Sequence, residues 1–328
     1  MDKKKVLLMV VSFVTVIMLG TGGWELGRYI DSIKSGVDAV RADTVFAEAD
    51  PLLQRIRQEA QERYQKPVNA KVDPVWKAIP GYSGLEVDID ASYSRTSSSP
   101  KGSPLQLVYR EVQPEINLED LGPYPVYRGN PNKPMAAIMI NVAWGNEYLP
   151  DILNTLDEEK VKATFFLDGT WLSKNEELAK DIMNHGHEMS NHAYSHPDMS
   201  RISRAAQKQQ ITRTEELLRS KLSVKNRWFA PPSGAFNQTT IEVAAAEGLK
   251  TVLWTVDTVD WKKPAPEWMI SKISRETGPG SLILMHPTAS SRDALKGMIA
   301  AVREKGLALG TVTETLSPAR FPEVEAGS

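Results

Sequence analysis

The feature that most constrains this chain is a rhythm between residues 136 and 314, where short apolar runs alternate with stretches of helical spacing. "AAIMINV" precedes a helical pattern over 147–160, "ATFFLDG" one over 173–185, "HEMSNHA" one over 200–221, and "NRWFAPP" one over 238–247. "KTVLWTVD" then leads into 266–275, "SLILMHP" into 291–305, and "ALGTVTE" closes the series. Near-continuous apolar runs of this length read as strands buried on both faces, and strands separated by helices read as parallel neighbours joined by right-handed crossovers. The pattern predicts an α/β domain over 134–317, and either a barrel or an open sheet satisfies it. With 328 residues, 41% of them hydrophobic, the chain is long enough for one full domain plus a smaller part.

The N-terminus points to export. Lys3, Lys4 and Lys5 precede an uncharged apolar run from Val6 to Leu19, and the next acid is Glu25. No small-residue cleavage site follows the run, and "AEA" at 47–49 stands too far downstream. Residues 1–24 therefore read as a signal-anchor in preference to a cleaved signal peptide, with the lysines inside and the rest extracytoplasmic. Residues 25–66 have apolar positions three and four apart among many charges, the pattern of a solvated helical stalk. Residues 67–120 alternate like strands of a small α/β or β-rich region, the Pro- and Gly-rich 121–133 reads as an extended linker, and 318–328 as a flexible tail. The 39 basic and 41 acidic residues leave no nucleic-acid footprint, and the lack of cysteine excludes a thiol nucleophile or thiolate ligands.

Polar residues able to do chemistry follow the strands, as expected where a site is built on strand-to-helix loops. His192 and His196, four residues apart, fall on one side of a helical turn and could share a metal ion; the bland alternative is a surface histidine and a capping one. His185 and His187 read as partners of helix-end carbonyls. His286 ends the apolar run "SLILM", where an imidazole can serve as general acid or base, and Asp257 and Asp260 are candidates to orient it. For Asp257 a purely capping role is equally consistent.

"KATFFLDG" (162–169), "GHEMSNHAYSH" (186–196), "APPSG" (230–234), "VDTVDW" (256–261) and "LILMH" (282–286) together resemble the polysaccharide deacetylases, the NodB-homology or carbohydrate esterase family 4 enzymes, closest to the subgroup of endospore-forming bacteria. The resemblance covers about 134–317 and implies a distorted (β/α)7-type barrel. It implies a metal-dependent hydrolase that removes N-acetyl groups from cell-envelope glycan, peptidoglycan or chitin-like. Carried over by motif, His192 and His196 match the metal pair, His286 the general acid, and Asp260 the residue that orients it. By the same resemblance Trp261 and Leu282 shape the pocket for the acetyl methyl, and Trp144 and Pro232 are further candidates for substrate binding.

The chain departs from the family where the chemistry starts. The family's Thr-Phe-Asp-Asp-Gly motif, with its catalytic base and a metal ligand, reads Asn141-Val142-Ala143-Trp144-Gly145, and the arginine that holds the base reads Ala230. A buried guanidinium whose carboxylate has vanished costs about 3–5 kcal/mol, so the joint loss is physically coherent. Two histidines imply Zn²⁺ or another divalent cation only weakly held, unless Glu147, Asn146 or Asp198 supplies a third ligand. The expectation is a deacetylase-family protein of weak or lost activity. The alternatives are a glycan-binding module or scaffold, whose groove Trp144, Trp261, Tyr194 and Trp228 would line, and a slow hydrolase. Core filling is the commoner fate of such aromatics.

Overall fold

The structure, a computed structural model, describes residues 50–321. The anchor segment 1–24 and most of the stalk lie outside the described residues, as does the tail beyond 321. Among the described residues no helix is long and apolar enough to cross a membrane. They divide into two compact units, 50–64 with 86–110 and 65–85 with 111–321, so the 67–120 stretch expected to stand together is shared between them.

Among its described residues the smaller unit holds two helices. Pro51–Glu62 starts at Asp50, whose Oδ1 accepts the Leu52 amide at 2.8 Å and whose Oδ2 accepts the Tyr93 hydroxyl at 2.6 Å. Ile89–Ser97 is capped by Asp88 in the same manner. An acidic N-cap satisfies amides that the first helical turn leaves without partners.

In the larger unit β1 (Lys71–Asp73) and β2 (Lys77–Ile79) form an antiparallel ladder; β3 (Gly84–Val87) and β4 (Tyr109–Val112) are crossed by the division. The main sheet is parallel and curled, with eight strands among the described residues: β5 (Met135–Val142), β6 (Thr164–Leu167), β7 (Glu188–Asn191), β8 (Trp228–Phe229), β9 (Lys250–Thr251), β10 (Val256–Asp257), β11 (Ser281–Met285) and β12 (Ala308–Gly310). Their spatial order is β10-β11-β5-β6-β7-β8-β9, and β12 shares the early part of one β5 edge. Helices fall close to the predicted spans, Leu149–Glu158, Arg204–Leu222, Gln238–Ala246, Pro266–Glu276 and Ala289–Arg303 among them. The helix expected over 173–185 is two, Gly169–Lys174 and Glu176–Asn184, broken at Asn175.

Two expectations are corrected at the seam of the sheet. "KTVLWTVD" is not one strand: β9 pairs with β8 on one side and β10 with β11 on the other, so residues 252–255 cross between the two edges. The segment read as a linker closes the gap. Val126, fully buried, donates to the Thr251 carbonyl at 2.9 Å and accepts from the Leu253 amide at 2.8 Å, and Gly129 donates to Gly280 at 2.7 Å. Pro123 and Pro125 hold this stretch extended, and an extended backbone is what an edge can pair with.

Alternation along the strands sorts the core into two layers. Ile138, Ile140 and Val142 of β5 join Phe165, Ile283 and Met285 beneath the helices, while Ala137 and Met139 join Phe166, Trp228, Ala230 and Leu282 inside the curl. His187 is buried in the first layer's surroundings, its ring 5.1 Å from that of Phe165 and its Nδ1 accepting the Ala163 amide at 3.2 Å. Burial, helped by the Lys162 charge, holds its imidazole down to about 4, well below the ordinary value near 6.5. The unfolded chain therefore takes up a proton below about pH 6.5 that the folded chain refuses, and stability falls as pH drops from there toward 4. Urea unfolding of the wild type and of His187→Asn over that window is expected to differ in slope, by up to about 3 kcal/mol at the acid end. Parallel curves would refute the assignment.

Candidate active site

A cavity of about 420 Å³ opens at the C-terminal ends of the strands, lined by Asn141, Ala143, Trp144, His192, His196, Ser233, Trp254, Asp257, Trp261, Leu284 and His286. This is where parallel α/β sheets place their ligands, because the connecting loops converge there. The sequence reading thus reaches the site with His192, His196, His286, Asp257, Trp144 and Trp261. The structure adds Asn141, Ser233, Trp254 and Leu284.

The His286 side of the cavity is tightly built. Asp260 is fully buried at the start of a short turn, Asp260–Lys262, preceded by Val259 at φ +56°. Its Oδ1 lies 2.9 Å from His286 Nδ1, and its Oδ2 accepts the His286 amide at 2.5 Å and the Ser291 hydroxyl at 2.6 Å. Three bonds to one carboxyl fix the imidazole's orientation and leave Nε2 as its remaining polar atom. Asp257 lines the cavity and accepts the Val259 amide at 2.7 Å, while the carboxylate that meets His286 is that of Asp260.

The two histidines meet by a different route from the expected helical turn. Residues 192–196 form a loop with Ala193 at φ +62° and His196 at φ +55°, left-handed conformations that non-glycine residues rarely adopt. Asn191 Oδ1 holds the Ala193 amide at 2.8 Å, and Gln210 Oε1 holds the amides of Tyr194 and Ser195 at 2.9 Å each. The rings end 5.2 Å apart, edge to face. His192 Nδ1 donates to the Ala230 carbonyl at 2.8 Å, which leaves the lone pair on Nε2. Complete burial, reinforced by the neighbouring His196, pushes His192 down to about 3, so it stays neutral.

Trp144 stacks on His286, the rings parallel within 10° and 5.9 Å apart. Gly145 makes this possible: it takes φ +86°, and a Cβ there would collide with the Pro287 carbonyl. The loops after β5 and β11 can touch only because that side chain is absent. Trp144 and Trp261 are 47% and 55% exposed, which large aromatics held only by the core would not be.

Other expected residues lie elsewhere. Leu282 is fully buried one layer down; Leu284, on the same face of β11 two residues later, forms the floor. Pro232 is buried beside the site, and its neighbour Ser233, at φ +54°, reaches the cavity. Trp228 is core, its Nε1 donating to Thr313 Oγ1 at 2.7 Å. Tyr194 sits under the Arg213 guanidinium at 3.4 Å, away from the lining. Ala230 is fully buried in the inner layer.

Among the described residues no group of three or more histidine or acidic side chains is placed to hold a metal. Asn146 bonds Trp171 at 2.6 Å and Asn175 at 2.8 Å, and Asp198 caps its own turn while pairing with Arg201. Glu147 lines a separate polar cavity of about 400 Å³ beyond Trp144.

The sequence model of the polysaccharide deacetylase family matches residues 128–252. The "uncharacterized protein YlxY" of Bacillus subtilis is 46% identical over 87% of this chain and 90% of its own length. A peptidoglycan-N-acetylglucosamine deacetylase of Bacillus cereus is 30% identical over 68% of this chain and 88% of its own. Among solved structures, a carbohydrate esterase family 4 pseudoenzyme from Bacillus anthracis superposes with a TM-score of 0.77 at 43% identity, over 83% of this chain and 97% of that one. A mutant of that pseudoenzyme, named as having restored enzymatic activity, superposes with the same score at 42% identity. The chain belongs to the polysaccharide deacetylase family.

Proposed function

We propose that this chain is a cell-envelope member of the family that binds N-acetylated glycan of the peptidoglycan or chitin type and has given up efficient deacetylation. The observation that carries the reading is the asymmetry of the cavity. Its acid half is complete, with Asp260 and Ser291 around His286, while Ala143, Trp144 and Ala230 stand where family members carry the base, a metal ligand and the arginine.

The residues present do not fit the family's metal. A catalytic zinc takes three protein ligands and one open position, and His192 and His196 fall one short, with an indole where the third would be. Without a base a further factor of ~10²–10⁴ is lost, the usual size of general acid–base contributions. His286 can still hold or pass a proton at Nε2, but nothing beside it generates a nucleophile. The exposed faces of Trp144 and Trp261 instead offer flat apolar surfaces suited to the C–H faces of sugar rings. We place the protein outside the cytoplasmic membrane, held by residues 1–24, on the charge and apolar pattern of that segment.

Acetate release from N-acetylglucosamine oligomers tests the reading. The wild type is expected at background, and the triple variant Ala143→Asp, Trp144→Asp, Ala230→Arg to gain zinc-dependent release that His286→Ala abolishes. Wild-type release that falls in His286→Ala would overturn the proposal. Ala230→Arg alone should destabilise by about 3–5 kcal/mol, since its guanidinium enters an apolar layer with no carboxylate to meet it. Adding Ala143→Asp should recover part of that loss, as measured by urea unfolding of the double-mutant cycle.

A further inference from the structure

The cavity's polar inventory is lopsided. Asn141 is 3% exposed on the inner face of β5, lines the cavity, and its Oδ1 accepts no hydrogen bond. A buried acceptor without a partner costs about 1–3 kcal/mol, which a ligand donor would recover. His192 adds the Nε2 lone pair that its bond to the Ala230 carbonyl leaves over, and Asp257 adds a carboxylate. His286 and Ser233 can act in either sense. Around these stand three indoles, Trp144, Trp254 and Trp261. Lys262 lies over the Trp261 ring at 4.8 Å but is not among the lining residues.

We propose that this cavity selects a primary ammonium group, the free amine of a de-N-acetylated hexosamine unit, in preference to the acetamide that the family cleaves. The proposal rests on the glycan-binding reading above and narrows it: within a chain of otherwise N-acetylated units, the cavity takes the unit that has lost its acetyl group. An ammonium brings three donors to a floor of acceptors, and its charge is favoured by indole faces and by the Asp257 carboxylate. An acetamide brings one donor and no charge for the indole faces or the Asp257 carboxylate to hold. Donors once suited to a metal cation, having lost the ligand that made the site strong enough for one, remain suited to a weaker organic cation. The protein would then recognise glycan that a deacetylating reaction has already processed.

The test is calorimetric titration of the full chain, in chelator at about pH 6 where a sugar amine is protonated, with β-1,4-linked tetramers of glucosamine and of N-acetylglucosamine. The expected result is at least about tenfold tighter binding of the amine tetramer, collapsing to near equality in Asn141→Leu. Trp261→Leu, at an exposed position that does not threaten folding, should also erode the preference. Preference for the acetylated tetramer would overturn this inference and leave glycan binding standing. Binding of neither would overturn both. An amine preference that survives in Asn141→Leu and in Trp261→Leu would be surface charge attraction and would overturn it as well.

Discussion

Parallel pairing of β5 with its neighbours is the constraint on which the site depends. Ile138 lies opposite Ile283 and Met139 opposite Leu284, while Met139 and Asn141 face Thr164 and Phe166 on the other edge. Because side chains alternate, that register sends Ala137, Met139, Asn141 and Ala143 inward in ascending order, and Leu282 and Leu284 with them. A slip of one residue would exchange the cavity floor for the layer beneath the helices. The chemistry at the rim is therefore set by backbone hydrogen bonds several residues below it.

The two halves of the site have different reasons to persist. Asp260 is buried with three bonds, so its loss would leave the His286 and Ser291 donors without partners in a dry interior. Retention of that half is thus explained by stability alone and says little about turnover. The opposite half carries no such debt. With Ala143 and Ala230 in place neither a guanidinium nor its carboxylate is left there waiting for the other, and Ala230 packs with Met139, Phe166 and Trp228 as ordinary core.

The sheet was legible because runs such as "AAIMINV" and "SLILM" keep an apolar character that only doubly covered strands need, and helical spacing between them set the crossovers. The His286 and Asp260 partnership followed from motif order. What escaped was information that only register supplies. Leu282 and Leu284 are alike in sequence and differ by one layer in depth, and Asn141 reaches the cavity only through the alternation that the register fixes. Trp228 and Tyr194 could not be told from groove aromatics without their partners, Thr313 and Arg213. The linker residue Val126 became part of the seam through two backbone bonds that composition does not encode.

Ala230 has a historical consequence. Any lineage that tried to regain hydrolysis one substitution at a time would first have to force a guanidinium into an oily layer, or lay a carboxylate at 143 with nothing to steady it. Each lone step costs stability, and the paired change returns part of that cost. The small methyl group at the bottom of the curl therefore behaves like a ratchet pawl, which a single substitution does not lift.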